Sequence, residues 1–179
     1  MKPYKQLSSK VMIENPWWRY CLDQIELPSG RPGEYHYVLT NGSSMTVAEL
    51  EKDKILLIRQ YRYTGKRDSI EFPCGGVKYG SSFDETAINE LAEETGYVPE
   101  QIEAVGNFNP CNGLLDEMCR VYIARRLKHV GAHPDETESF ELLTLSKEEI
   151  DEYIRNGTIW DGMTIAAWAI AKPRLTNGL

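Results

Sequence analysis

The chain reads GGVKYGSSFDETAINELAEETGY from Gly75 to Tyr97. Ser82, followed three residues later by Glu85, forms a capping box, a pattern that starts helices. Gly96 is the residue type that often ends a helix, because glycine accepts the left-handed backbone conformation. The stretch therefore predicts a glycine-rich loop that leads into a helix from about Phe83 to Thr95.

The predicted helix has an apolar side and an acidic side. At about 100° per residue, the apolar side consists of Ile88, Leu91, Ala92 and Thr95. The acidic side consists of Glu90, Glu93 and Glu94. These carboxylates can simply face water, where their mutual repulsion is weak. Beside a glycine-rich loop they can instead bind Mg²⁺ or Mn²⁺, which prefer hard oxygen ligands and leave positions open for phosphate oxygens.

The loop and helix resemble the Nudix box. This family pattern is Gly, five residues, Glu, seven residues, Arg-Glu, an aliphatic residue, any residue, Glu-Glu, any residue, Gly and an apolar residue. The positions that match in register are Gly75, Glu90, Leu91, Glu93, Glu94, Gly96 and Tyr97. Two positions depart, because Ser81 stands where the family has its first Glu and Asn89 stands where it has Arg. Together they remove one negative and one positive charge, so the net charge of the pattern is retained.

The resemblance implies an α/β protein with the Nudix fold, in which a mixed β-sheet forms an α/β/α sandwich. It also implies a metal-dependent hydrolase that uses Mg²⁺, with Mn²⁺ as an alternative. The metal ligands carried over from the family pattern are Glu90, Glu94, Glu93 and the carbonyl oxygen of Cys74. Glu93 is also a candidate catalytic residue.

Length and composition are those of an ordinary globular domain. The 179 residues are 41% hydrophobic and 26% charged, with a formal net charge of -7. This acidity argues against binding to nucleic acid or to anionic membranes. There is no apolar run of signal-peptide or membrane-spanning length, so we expect a cytoplasmic location. The four cysteines lack metal-binding or redox spacing; they are Cys21, Cys74, Cys111 and Cys119.

Residues 1–42 predict a small N-terminal antiparallel β unit, before a Nudix hydrolase domain formed by residues 43–179. Alternating apolar and polar residues indicate about three strands, at Lys10 to Asn15, Trp17 to Leu27 and Glu34 to Thr40. A unit of this size is not stable alone. Its aromatic residues can pack as a core or stack on a nucleobase; they are Trp17, Trp18, Tyr35 and Tyr37. Related sugar-nucleotide pyrophosphatases exchange such units, so the resemblance implies a homodimer.

Two further segments resemble the branch of the family that acts on ADP-ribose and nucleoside diphosphate sugars. They are RQYRY from Arg59 to Tyr63 and EFPCGG from Glu71 to Gly76. A guanidinium can bind phosphate through two hydrogen bonds, and residues three apart on a strand point to opposite faces. We therefore expect Arg62 to bind substrate and Arg59 to lie on the surface. The resemblance makes Glu71 a further substrate contact.

The 109–117 segment, NPCNGLLDE, is similar to a Pro-x-x-Gly-x-x-x-Glu loop of the family. The likeness implies that Glu117 contacts the substrate. Leu114, in the same loop, is a candidate contact for the sugar or base.

The acidic segment DETE, from Asp135 to Glu138, precedes a predicted strand from Phe140 to Leu145. In similar ADP-ribose pyrophosphatases the general base comes from a mobile acidic loop at this place. The resemblance therefore implies Glu136 as the base, with Glu138 as the alternate.

The remaining periodic segments complete the predicted fold. A hairpin is expected from Met45 to Leu50 and from Lys54 to Gln60, and the run Ile55 to Ile58 has the continuous apolarity of a central strand. Further predicted strands are Gln101 to Phe108 and Cys119 to Leu127, and further predicted helices are Lys147 to Arg155 and Asp161 to Lys172.

The implied function is hydrolysis of the pyrophosphate bond in a nucleoside diphosphate sugar, with ADP-ribose favoured, to give a nucleoside monophosphate and a sugar phosphate. Two alternatives stay open. GDP-mannose or another sugar nucleotide can be the main substrate. Since the box departs at Ser81 and Asn89, the chain can also be a non-catalytic module that binds a nucleotide.

Overall fold

The computed structural model describes residues 2–131 and 140–175. Within these ranges the chain forms ten strands and three helices. The strands are β1 (Lys5–Glu14), β2 (Trp18–Glu26), β3 (Pro32–Thr40), β4 (Ser43–Glu51), β5 (Lys54–Arg62), β6 (Arg67–Glu71), β7 (Cys74–Gly76), β8 (Tyr97–Phe108), β9 (Cys119–His129) and β10 (Glu141–Leu145). The helices are α1 (Phe83–Thr95), α2 (Lys147–Arg155) and α3 (Gly162–Leu175).

The strands form two sheets. The small sheet is antiparallel and has the order β1-β2-β3. The large sheet follows the path β10-β5-β4-β9-β8, with β6 beside β5 and β7 beside β4. Strands β4 and β9 run parallel, whereas the other neighbours are antiparallel. A mixed sheet with a small antiparallel unit is the fold class predicted from the sequence.

Helices cover both faces of the large sheet. Met45 and Val47 of β4 belong to the same buried cluster as Trp168 of α3. The neighbouring position turns the other way, since Ala48 packs with Leu91 of α1. The sheet is therefore the middle layer of the predicted α/β/α sandwich.

Strand β5 confirms the prediction of an interior strand. It lies between β4 and β10, and the four residues from Ile55 to Ile58 are each 0% exposed. A continuous apolar run is typical of a strand that is buried on both faces.

Helix α1 begins and ends where the sequence predicts. The side chain of Ser82 accepts a hydrogen bond from the Glu85 amide, the Glu85 side chain returns to the Ser82 backbone, and Gly96 has a left-handed φ of 76°. Its first turn is held to the large sheet by two hydroxyl groups. Ser44 Oγ donates to the Phe83 carbonyl at 2.7 Å, and the Tyr122 hydroxyl donates to the Asp84 carboxylate.

The buried side of α1 differs from the predicted one. The buried residues of the helix are Thr86, Ala87, Leu91, Glu94 and Thr95. Ile88 and Ala92 are only partly buried, so their expected place on the inner side is not fully realised. Glu94 belongs to the inner side because a backbone amide of β7 hydrogen-bonds its carboxylate and offsets the cost of burial.

The small sheet is thinly covered. Strand β1 begins at Lys5 rather than near Lys10, and all ten of its residues are exposed. Trp17 is 74% and Trp18 39% exposed. Within a single chain, the prediction that these two tryptophans pack as a core of the unit is therefore wrong.

The last two helices form over the predicted segments. Helix α2 has the predicted bounds, whereas α3 extends to Leu175 and includes Pro173. Within residues 2–131 and 140–175, no helix has the length and apolar character needed to cross a membrane.

Candidate active site

A cavity of about 650 Å³ lies where the loop after β7, helix α1 and the start of β2 meet. Its walls include Trp17, Trp18, Asn41, Cys74, Gly75, Lys78, Tyr79, Glu90, Glu93 and Glu117. The structure therefore brings together five of the predicted site residues, which are Trp18, Cys74, Glu90, Glu93 and Glu117. They come from four separate segments of the chain, so the cavity is a product of the tertiary fold.

Gly75 and Glu90 are in close contact at the cavity wall. A Cβ atom built on Gly75 would lie 2.0 Å from Cδ and 2.2 Å from Oε1 of Glu90. Since real side chains do not approach this closely, only glycine leaves room for the carboxylate at this place. The first position of the box and its helix glutamate thus form one structural unit.

Glu94 lies inside the protein, with 7% of its surface exposed. The Cys74 amide donates a hydrogen bond to Glu94 Oε2 at 3.1 Å, which joins the helix to β7. The adjacent Cys119 thiol, together with burial, raises the pKa of the Cys74 thiol well above its ordinary value. This thiol therefore stays protonated at neutral pH, and the carbonyl oxygen is the ligand that residue 74 can offer.

Glu117 is held by the buried hydroxyl of Ser43. Ser43 Oγ donates to Glu117 Oε1 at 2.6 Å, and the Ser43 amide donates to the Met118 carbonyl at 3.1 Å. These bonds tie the end of the 109–117 loop to the first residue of β4. The sequence contained no local signal for the role of Ser43, because the contact joins residues far apart in the chain.

The 109–117 loop is also fastened to the small sheet. The Val38 amide donates to the Leu114 carbonyl at 2.8 Å, and the Asp116 amide donates to the Val38 carbonyl at 3.2 Å. Asp116 Oδ1 accepts a hydrogen bond from the Thr40 amide at 2.8 Å. One loop therefore connects the third strand of the small sheet to Glu117 in the cavity.

Tyr37 and Leu114 lie apart from the large cavity. Both line a second cavity of about 300 Å³ between the small sheet and the 109–117 loop. The Tyr37 hydroxyl donates to Asp23 Oδ1 at 3.3 Å, so its polar end is already bonded within the small sheet. Within one chain, the structure does not bring these two predicted substrate contacts to the carboxylates of the box.

Arg62 and Glu71, both predicted to bind substrate, bind each other. Arg62 Nε donates to Glu71 Oε1 at 2.8 Å, and Nη2 donates to the second oxygen. Glu71 is 2% exposed, and its hydrogen bonds raise the pKa of the Arg62 guanidinium above its ordinary value. Arg59 lies at the surface, where it pairs with Glu141 at 2.7 Å.

The remaining predicted catalytic residues, Glu136 and Glu138, lie outside the described residues. The two departures from the box, Ser81 and Asn89, are both exposed. Lys78 and Tyr79 line the cavity although the sequence analysis did not single them out, and their position inside the glycine loop was the available signal.

The oxygen atoms at this site suit a divalent cation. Within residues 2–131 and 140–175, no three His, Cys, Asp or Glu side chains converge into a ready-made metal cluster. Mg²⁺ is usually bound through one or two carboxylates together with substrate phosphates, rather than in a closed cage of protein ligands. The tight seat of the Glu90 carboxylate on Gly75, beside Glu93, fits a site of that kind.

Comparison with known sequences agrees with this geometry. The sequence model of the NUDIX domain matches residues 41–160. The chain belongs to the Nudix family. A second model, the nucleoside diphosphate sugar hydrolase N-terminal domain, matches residues 4–38.

The relatives of this Nudix chain are named for different functions. It is 34% identical over 148 residues to the methanol dehydrogenase activator of Bacillus methanolicus, covering 82% of this chain and 80% of the relative. It is 28% identical over 160 residues to the ADP-ribose pyrophosphatase of Bacillus subtilis (strain 168), covering 88% and 85%. A crystal structure of an ADP compounds hydrolase superposes with a TM-score of 0.87 at 17% identity, covering 98% of this chain and 96% of the other, which supports the fold.

Proposed function

We propose that this Nudix protein hydrolyses the pyrophosphate bond of nucleoside diphosphate sugars in a Mg²⁺-dependent reaction, with ADP-ribose as the favoured substrate. The observation that carries the proposal is the seat of the Glu90 carboxylate on Gly75, at the wall of a cavity whose lining also includes Trp18. Such a cavity can hold a diphosphate near the carboxylates and a base or sugar near the indole.

The residues that would hold the metal are Glu90, Glu93, Glu94 and the carbonyl oxygen of Cys74. When bound, Mg²⁺ acts as a Lewis acid on the diphosphate and lowers the pKa of coordinated water. The protein supplies rigid support, since the Cys74 amide already orients Glu94 and Gly75 fixes the space available to Glu90.

Several side chains then have distinct roles in binding. We assign Glu117, which accepts a hydrogen bond from Ser43, to binding substrate hydroxyl groups. Arg62 is a candidate phosphate contact, and Glu71 holds it as a positioning residue. Tyr37 and Leu114 are assigned to the sugar or base by family resemblance alone. We also assign the general base to Glu136 by that resemblance, with Glu138 as the alternate.

Two relationships support the choice of substrate. The model that matches residues 4–38 is named for nucleoside diphosphate sugar hydrolases, and a relative that aligns with 88% of the chain is named ADP-ribose pyrophosphatase. The small sheet adjoins the cavity, because the tryptophans that line it sit at the start of β2. We also propose a domain boundary near residue 42, which is supported by the change of sheet between β3 and β4.

The experiment that tests this function is a substrate panel. The protein is incubated with Mg²⁺ and ADP-ribose, GDP-mannose, UDP-glucose or a dinucleoside polyphosphate, and release of monophosphate is measured. We expect ADP-ribose to react fastest, and both EDTA and Glu90→Gln to abolish release. Release from no substrate, while nucleotide still binds, would show a non-catalytic binding module instead.

The general base is tested with two matched variants. Glu136→Gln is expected to lower kcat by about a hundredfold or more, because general-base catalysis typically contributes 10² to 10⁴-fold. If only Glu138→Gln has this effect, the alternate residue is the base. If both variants keep wild-type rates, neither carboxylate accepts the proton.

We propose in addition that the protein is a homodimer joined through the small sheet. Strand β1 exposes Leu7, Val11 and Ile13, which are 53%, 45% and 59% accessible. An exposed apolar strand of this kind invites a partner, and the second copy is the one that related enzymes use. Light scattering should give twice the monomer mass, and Val11→Asp should give the monomer. A monomeric wild-type protein with full activity would exclude the dimer as a requirement.

A further inference from the structure

The large cavity is strongly acidic. Its walls carry the carboxylates of Glu90, Glu93 and Glu117, whereas among the described residues that line it only Lys78 is a lysine or arginine. A diphosphate brought to three carboxylates is repelled unless cations are present. The positive charge of Lys78 can therefore offset part of this repulsion of an anionic ligand.

The backbone around Lys78 is held on both sides. The Val77 amide donates to the Gly42 carbonyl at 2.9 Å, which ties the start of the loop to the residue before β4. The Ser81 amide donates to the Lys78 carbonyl at 3.0 Å, and Gly80 between them has a left-handed φ of 86°. The turn is thus closed at Lys78 itself, and the lysine is presented from a defined place on the cavity wall.

Two arginines of the chain, Arg62 and Arg120, already have carboxylate partners. Arg62 is engaged by the Glu71 carboxylate. Arg120 lies 3.8 Å from Asp84 and stacks over the Phe83 ring. Lys78 has no ion-pair partner within 4.0 Å among residues 2–131 and 140–175. Its ammonium group is therefore available to a ligand.

We propose that Lys78 binds the diphosphate of the substrate and determines affinity for doubly phosphorylated nucleotides. The inference rests on the proposed function in that an anionic nucleotide enters this cavity. An ammonium group on a flexible chain is a compact positive charge that suits phosphate oxygens. The family pattern leaves position 78 open within its five unspecified residues, so this contact is a property of this chain.

The test measures binding separately from turnover. The probe is α,β-methylene-ADP, whose carbon bridge cannot be hydrolysed, and its Kd is measured by calorimetry with Mg²⁺ at low and high salt. Lys78→Gln should weaken binding by about tenfold, since a hydrogen bond to a charged group is worth roughly that factor. Lys78→Arg should stay within about threefold of wild type, because it keeps the charge.

The matched control is Lys52→Gln, which makes the same charge change in the exposed turn between β4 and β5. The effect of Lys78→Gln should shrink at high salt, whereas Lys52→Gln should bind like wild type at both. Equal Kd values for the two glutamine variants would overturn the proposal, as would an arginine variant as weak as Lys78→Gln.

The two proposals can fail independently. If the analogue binds through Lys78 but no substrate is hydrolysed, the hydrolase function is wrong and the phosphate contact stands. If substrates are hydrolysed while Lys78→Gln binds the analogue normally, the phosphate contact is wrong. Wild-type protein that does not bind the analogue at all would also overturn the Lys78 contact.

Discussion

The two sheets of this chain differ in how they are covered. In the large sheet, β5 is enclosed on both faces and its central residues are fully buried. In the small sheet, every residue of β1 is exposed, and the buried residues of β2 are Cys21, Asp23 and Ile25. Because β1 contributes no buried residue, the small sheet has little core of its own. The small sheet must therefore gain stability from what it touches, which is the 109–117 loop here and a second chain in the proposed dimer.

The largest expected effect is on stability. It compares an alanine substitution at a buried residue of the large sheet with one at an exposed residue of the small sheet. Leu57→Ala in β5 removes a fully buried side chain and should cost about 2–5 kcal/mol of unfolding free energy. Val11→Ala in β1 removes a side chain that is 45% exposed and should cost less than about 1 kcal/mol in dilute protein. Urea titration measures both values.

Measuring the cost of these two substitutions at several protein concentrations tests the proposed dimer. If β1 is covered in a dimer, the cost of Val11→Ala should grow as the concentration rises, whereas the cost of Leu57→Ala should change less. A Val11→Ala cost that is independent of concentration would argue against an interface on β1.

The next effect tests the candidate active site beside the large sheet and leaves the small sheet intact. Gly75→Ala places a methyl group 2.0 Å from the Glu90 carboxylate and should lower kcat/KM by about a hundredfold, as expected if Glu90 is the metal ligand that we propose. The control is Gly76→Ala, because a Cβ there meets nothing within 4 Å. Hydrolysis rates and circular dichroism are measured for both. Equal activity of the two variants would show that the close contact between Gly75 and Glu90 does not matter for hydrolysis.

A smaller effect is expected where the two sheets are joined. Asp116→Ala removes the acceptor of the Thr40 amide and should cost about 1 kcal/mol, while raising KM severalfold because Glu117 follows on the same loop. Asp116→Asn keeps an acceptor oxygen and should restore KM. Asn112→Ala, in the same loop, serves as the control. A change in stability without a change in KM would limit the loop to a structural role.

The smallest effect is an acid sensitivity of the small sheet. Hydrogen bonds from Ser9, Gln6 and Tyr37 lower the pKa of Asp23 below its ordinary value of 3.8. A lowered folded pKa stabilises the protein above the unfolded pKa, and this contribution is lost as pH falls through the folded pKa. The difference in urea midpoint between wild type and Asp23→Asn should therefore shrink from pH 6 to pH 3. A difference that does not change with pH would show that charge on Asp23 is immaterial.

Elements with local start and stop signals could be predicted closely from sequence. Helix α1 has the predicted bounds because its capping box and Gly96 act through the backbone within one turn. The start of β1 was missed by five residues, since an exposed strand lacks the burial pattern that marks strand ends. Its limits depend on pairing with β2, which is a tertiary contact.

The composition of the candidate site was predictable in part. The spacing of Gly75, Glu90 and Glu93 reflects one loop and one helix, so their meeting could be inferred from sequence. The inward position of Glu94 could not, because it depends on an amide of β7. The separation of Tyr37 from the cavity likewise follows from how the small sheet attaches to the rest of the chain.

The sequence by itself determined the α1 segment, the interior strand β5 and the family, because each is recorded in short-range spacing of residue types. Only the tertiary structure decided which distant polar groups meet. Arg62 binds Glu71, Ser43 orients Glu117, and Lys78 is left without an ion-pair partner among the described residues. These outcomes depend on strand register and loop attachment. Side-chain hydrogen bonds act over about 3 Å, so a pairing is settled only when the backbone has brought both groups to one place.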